Sequence, residues 1–172
     1  MSEISPHVSL ALAAINAYIT EGHTICIPDD TPDSLLTTCA GAFVCIKRNG
    51  DLRGCIGTIE PTKTCLAEEI IANAICAAVS DPRFLPLEVS ELSDLECSVD
   101  VLRPAEEIES LTYLDPKRYG VIVESGMKRG LLLPDLDGVN TAEEQISIAR
   151  RKAFINQTDS FKLYRFEVLR YK

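Results

Sequence analysis

Apolar and polar positions change period several times along the chain, and each change marks an element. Leu10, Ala11, Ala14, Ile15, Tyr18 and Ile19 recur at helical spacing between Ser5 and Gly22. The pattern predicts an amphipathic helix that Ser5 caps, with Pro6 at its first position. Residues 23–40 lose any period, and their prolines and aspartates predict a loop wrapping the body. "GAFVCIKRNGDLRGCIGTI" then shows two apolar runs flanking Asn49 and Gly50, the sequence of a β-hairpin closed by a type I′ turn. Strand alternation sends Arg53, Cys55 and Gly57 to one face and Leu52, Gly54, Ile56 and Thr58 to the other.

The period returns to helical after Thr64, a candidate cap, with Glu68 and Glu69 at the positive end of the helix dipole and Leu66, Ile70, Ala74, Ile75 and Ala78 as the buried stripe. It stops at "SDPRFLP", where Asp81 precedes a proline and helical geometry becomes unfavourable. "LECSVDVL" alternates Leu95, Cys97, Val99 and Val101 against Glu96, Ser98 and Asp100, the pattern of a strand with one wet face. "YGVIVESG" and "RGLLLP" predict a second hairpin around Ser125 and Gly126; "TAEEQISIARRKA" opens with a capping box of Thr141 and Glu144; "FKLYRFEVLRY" predicts a closing strand. Hairpins mixed with helices, without regular strand and helix alternation, predict an α+β fold with a largely antiparallel sheet and packed helices.

Composition narrows the function classes. A chain of 172 residues with 46% apolar content suits one domain with a sizeable core. The net charge of -9 argues against a nucleic-acid backbone or an anionic membrane as the main partner, and Arg150, Arg151 and Lys152 read as a solvated helix end. The most apolar stretch, "IIANAICAAV", is too short to span a bilayer, and the opening "MSEISPHVSL" lacks the pattern of a secretory leader. Seven cysteines without a C-x-x-C pair indicate a reducing cytoplasm. With His7 and His23 the only histidines, no metal and no cofactor is expected.

The candidate chemistry gathers in "LRGCIG". A guanidinium near a thiol lowers its pKa, and residues two apart on a strand face lie roughly 7 Å apart, so Arg53 and Cys55 make an anion-binding or nucleophilic pair. Gly54 and Gly57 would let a ligand approach the backbone. On this reading Cys55 is the most reactive of the seven thiols, with Cys65, Cys76 and Cys97 on packed faces. The structural alternative is equally concrete: glycines that make a bulge or room for a helix, a cysteine that fills the core, and an arginine paired with one of 26 acids. Asp81 and Arg83, beside Phe84, suit holding an anion or positioning Arg53, and equally suit a helix stop. Glu124 is a candidate base or an exposed hairpin acid, and Glu96, Ser98 and Asp100 line either a cleft or a wet sheet face.

"LRGCIGTIEP", "DPRFLPL", "SVDVL", "YGVIVESGMKRGLLLPDL" and "EEQISIARRKA", in this order and at these separations, resemble the AMMECR-type domain, over nearly the whole chain. The later segments are most similar to its microbial branch, AmmeMemoRadiSam system protein A. The resemblance implies one α+β domain over residues 1–172, with a larger and a smaller lobe and a cleft containing "LRGCIG". It also implies Memo-type and radical S-adenosylmethionine proteins as partners, but no defined reaction. Site roles carry over most clearly to Arg53, Gly54, Cys55, Ile56 and Gly57, and then to Asp81, Pro82, Arg83 and Phe84. Met127 and Phe154 stand where this branch is expected to carry glycine. The radical protein's three closely spaced cysteines are missing, so no iron–sulfur cluster is expected here.

The resulting expectation is a cytoplasmic protein that binds a small or peptide-like anionic ligand. Arg53 and Cys55 would act in a thiol-dependent modification step, with Gly54, Gly57, Asp81, Arg83 and Glu124 around the ligand. The alternative is a non-catalytic interaction or scaffold module of the same system.

Overall fold

The computed structural model describes residues 4–156 and 158–172; the first three residues of the opening stretch read for a leader lie outside them. The elements run α1 (Pro6–Glu21), α2 (Asp33–Thr37), β1 (Ala42–Arg48), β2 (Asp51–Gly57), α3 (Leu66–Val79), β3 (Leu95–Leu102), β4 (Glu106–Ile108), β5 (Gly120–Ser125), β6 (Lys128–Leu132), α4 (Ala142–Lys152), β7 (Lys162–Phe166) and β8 (Val168–Tyr171). Short 3₁₀ turns occupy Val89–Asp94 and Leu111–Tyr113. The strands form two four-stranded sheets, β2-β1-β3-β8 and β4-β7-β5-β6, in an α+β fold. Two compact units result, Met1–Val101 with Arg170–Lys172, and Leu102–Leu169.

In the first unit α1 begins and ends as its sequence predicts. The Ser5 hydroxyl accepts the Val8 N–H, and Gly22 at φ +73° returns its own N–H to the Tyr18 carbonyl. Val8, Leu10, Ala11, Ala14 and Ile15 are buried where α1 packs on α3, and α3 in turn packs on β1 and β2. The start of α3 differs from the expectation. Cys65 holds the cap position without a side-chain cap, while Thr64 donates both its N–H and its hydroxyl to Glu68.

Glu69 is buried and accepts the Thr58 hydroxyl at 2.6 Å and the N–H groups of Thr62 and Lys63 at 2.7 and 2.9 Å. Desolvation is the largest influence on its carboxyl and opposes ionisation, but these hydrogen bonds together outweigh it and hold the pKa below the usual range. The segment after β2 is thereby tied to the first turn of α3. The loop over residues 23–40 contains one helical turn, α2, which buries Leu35.

The β1–β2 hairpin turns on Asn49 and Gly50 at φ +53° and +83°, the two positive angles of a type I′ turn. Cys45 stands opposite Cys55 and Ile46 opposite Gly54, but Lys47 pairs with Leu52. Arg53 is therefore the extra residue of a β-bulge, and the simple alternation of Leu52 against Arg53 breaks there.

In the second unit β5 and β6 form the predicted hairpin, with Ser125 opposite Lys128. Of its two turn residues only Gly126 takes a positive φ, as a type II′ turn requires. The capping box of α4 is reciprocal: Thr141 accepts from the Glu144 N–H and Glu144 accepts from the Thr141 N–H. Helix α4 closes over β5 and β6, burying Val121, Val123, Leu132, Ile146 and Ala149. The predicted closing strand is two strands: β7 joins the second sheet and β8 the first.

Candidate functional site

Strand β2 is an edge of the first sheet, so every other residue along it turns a bare N–H and C=O outward. At Cys55 these groups are taken by the turn that ends α3. The Asp81 carboxylate accepts the Cys55 N–H at 2.9 Å, and the Arg83 guanidinium donates to the Cys55 carbonyl at 3.4 Å. Asp81 in turn accepts Nη2 of Arg83 at 2.6 Å and Nε at 2.9 Å. "DPR" thus supplies one acceptor and one donor to the strand, as a neighbouring strand would. The hydrogen bonds from Arg83 and from the Cys55 N–H hold the Asp81 carboxyl well below the usual carboxylate range, although only 4% of the residue is exposed.

Since the main-chain groups of Cys55 point away from β1, Cys45 and Cys55 form a non-hydrogen-bonded cross-strand pair, the kind in which side chains approach most closely. Val44, Ile46 and Gly54 lie on the α3 side of the sheet, and the two cysteines project from the opposite side. Each thiol therefore acts on the ionisation of the other. The influence of Cys55 lowers the Cys45 thiol to about 7 against the opposing effect of burial, with Lys47 and Arg170 assisting. Cys55 is shifted the other way: its interaction with Cys45, then burial, push its pKa upward. The same sheet face carries Ser98 opposite Cys45, and Asp100, which is buried and held by Arg170 at 2.7 and 2.8 Å.

The Arg53 guanidinium bonds away from Cys55. Its Nε and Nη2 donate to the two oxygens of Glu91, both at 2.9 Å, and its Nη1 donates to the Leu85 carbonyl at 2.9 Å. The bulge aims the guanidinium at this loop, so its positive charge is spent on Glu91, whose carboxyl it lowers. The cation acting on both thiols from this side is Arg83.

The two glycines of the motif have packing reasons of their own. A Cβ on Gly54 would lie 2.1 Å from the Ala77 carbonyl of α3, and one on Gly57 would lie 2.3 Å from Cγ of Phe43. Glu124 belongs to the second unit, where it stands opposite Arg129 and within 3.6 Å of its guanidinium. It is a cross-strand ion pair, not a free base. Cys97 faces the core beside Val99, and burial pushes its thiol up to about 12. Asp81 and Arg83, read from the sequence as holding an anion or positioning Arg53, bond instead to the Cys55 main chain.

Sequence reasoning missed Cys45 and Glu91. The hairpin register counted outward from Asn49 and Gly50 would have brought Cys45 to Cys55 once the bulge was allowed for. Nothing local marks Glu91, 38 residues from Arg53. Among the described residues no three His, Cys, Asp or Glu side chains gather as a metal cluster would, and no helix is long and apolar enough to cross a membrane.

Comparison with known proteins accounts for nearly the whole chain. A Thermotoga maritima protein is 50% identical over 97% of this chain and 97% of its own length. A Clostridium acetobutylicum protein is 49% identical over 99% of this chain, which spans only 36% of that longer relative. The crystal structure of an uncharacterized Pyrococcus horikoshii protein superposes with a TM-score of 0.85 at 35% identity, covering 95% of this chain and 88% of that one. The AMMECR1 family model matches residues 8–171, and the chain belongs to that family.

Proposed function

We propose that the chain binds a small or peptide-like anionic ligand against the Cys45–Cys55 face of the first sheet. There the Cys45 thiolate acts as nucleophile in a modification step shared with Memo-type and radical S-adenosylmethionine partners in the cytoplasm. The observation that supports this most is the lowered Cys45 thiol beside the cations Lys47 and Arg83 in a protein of net charge -9. Arg83 is half exposed, and among the described residues its side-chain hydrogen bonds run from Nε and Nη2, not from Nη1. A guanidinium so placed presents a donor for a carboxylate or phosphate.

The reading is tested by alkylating Cys45 with anionic iodoacetate and neutral iodoacetamide at low salt, resolving rates by peptide mass spectrometry. Loss of one nearby charge, worth about 1 kcal/mol, corresponds to about fivefold in rate. The iodoacetate-to-iodoacetamide ratio at Cys45 is expected to fall by about that factor in Lys47→Gln and in Arg83→Gln. An unchanged ratio in both variants contradicts anion binding here.

A second reading, an interaction or scaffold module, has its own support. Arg53, Gly54, Gly57 and Asp81 each serve the fold, and the loop that Arg53 braces displays Leu85 at 83% exposure and Val89 at 60%. Full function in a folded Cys45→Ser variant would favour the scaffold.

A further inference from the structure

Cys45 and Cys55 are opposed on adjacent strands with both main chains fixed, β1 between β2 and β3 and β2 by the Asp81–Arg83 turn. In a non-hydrogen-bonded pair the Cα atoms lie about 4.5 Å apart, inside the span that a disulfide bridges. Both residues are partly exposed, and neither is in a disulfide. Their side chains project from the same face of the sheet as direct cross-strand neighbours.

We infer that Cys45 and Cys55 form a thiol–disulfide exchange site that takes a small disulfide as substrate and closes to a cross-strand disulfide. The Cys45 thiolate attacks one sulfur of the substrate R–S–S–R, forming a mixed disulfide and releasing R–S⁻. The Cys55 sulfur then attacks Cys45 Sγ, forms the Cys45–Cys55 bond and releases the second R–S group, which leaves with the Cys55 proton as R–SH. Two electrons pass from the protein dithiol to the substrate disulfide, and no further oxidant is needed. The division of labour follows the geometry. Cys45 lies two residues from Lys47 on β1 and attacks, whereas Cys55, whose main chain the Asp81–Arg83 turn holds opposite it, resolves. The inference concerns the cysteine pair alone and goes beyond anion binding.

The test exposes the reduced full-length protein to oxidised glutathione, blocks the remaining thiols with N-ethylmaleimide and maps the peptides. The expected product is a peptide pair linked through Cys45 and Cys55, released by reductant. The exposed Cys26 and Cys39 should yield only simple glutathione adducts. Cys55→Ser should accumulate glutathione on Cys45, and Cys45→Ser should leave Cys55 largely unmodified. Wild-type protein in which both cysteines are alkylated while Cys26 and Cys39 carry glutathione would overturn the site. So would a lasting glutathione adduct on wild-type Cys45 without the linked pair. The wild-type arm does not depend on how the variants fold. Disulfide closure without an iodoacetate preference would retain this site and remove the anion reading, and the reverse result would do the opposite.

Discussion

Phe154 follows the last turn of α4 at φ +54°, with 82% of its surface exposed. A left-handed conformation costs a residue with a Cβ about 1–2 kcal/mol, and an exposed ring recovers little of it by burial. Phe154→Gly should therefore stabilise the protein. Part of the gain is offset by the greater freedom of glycine in the unfolded chain, leaving about 0.5–1 kcal/mol. Urea denaturation measures it, and a lower midpoint at unchanged slope would contradict the assignment of strain. The family resemblance already led to an expectation of glycine at this position. Arg53 shows the opposite case, because its type and its place near Cys55 suggested activation of that thiol, whereas its partner is Glu91. An arginine's reach exceeds the local window in which its neighbours can be read, so its role followed from the fold and not from the motif.

At the scale of elements, local signals were legible and non-local ones were not. The Asn49 and Gly50 turn, the Ser5 cap and Gly22 end of α1, and the capping box of α4 all formed as read, because each is decided within a few residues. The bulge at Arg53, the short strand β4 and the division of the closing strand depend on pairing with distant strands, which periodicity does not report. Gly54 joins the two levels. Its hydrogen faces the Ala77 carbonyl, so the closest approach of α3 to β2 is set at one position. Gly54→Ala must push helix and strand apart and is expected to cost about 1–3 kcal/mol, as overpacking does. Equilibrium denaturation reads this directly, and a neutral substitution would return Gly54 to a role in ligand access.

For the whole molecule, the α+β class was legible from the mixture of hairpins and amphipathic helices, whereas the partition into two sheets was not. The residues between Leu102 and Leu169 carry a second sheet and a second apolar core of their own, with Glu124 among the cross-strand pairs there. The proposed chemistry belongs to the first unit. There the Asp81–Arg83 turn satisfies the edge of β2 and holds Cys55 opposite Cys45. The central claim is that this pair shares its protons unequally and makes Cys45 the nucleophile. Site-resolved iodoacetamide alkylation of the folded, reduced protein between pH 5 and pH 10 tests it most directly. The Cys45 rate should rise through a midpoint of about 7 and then level, because only the thiolate reacts. Cys55 should stay slow across that range, and Arg53→Ala, wherever it remains folded, should leave the Cys45 midpoint in place. A Cys45 midpoint at the ordinary thiol value of about 8.5, or Cys55 reacting ahead of Cys45, would contradict the account.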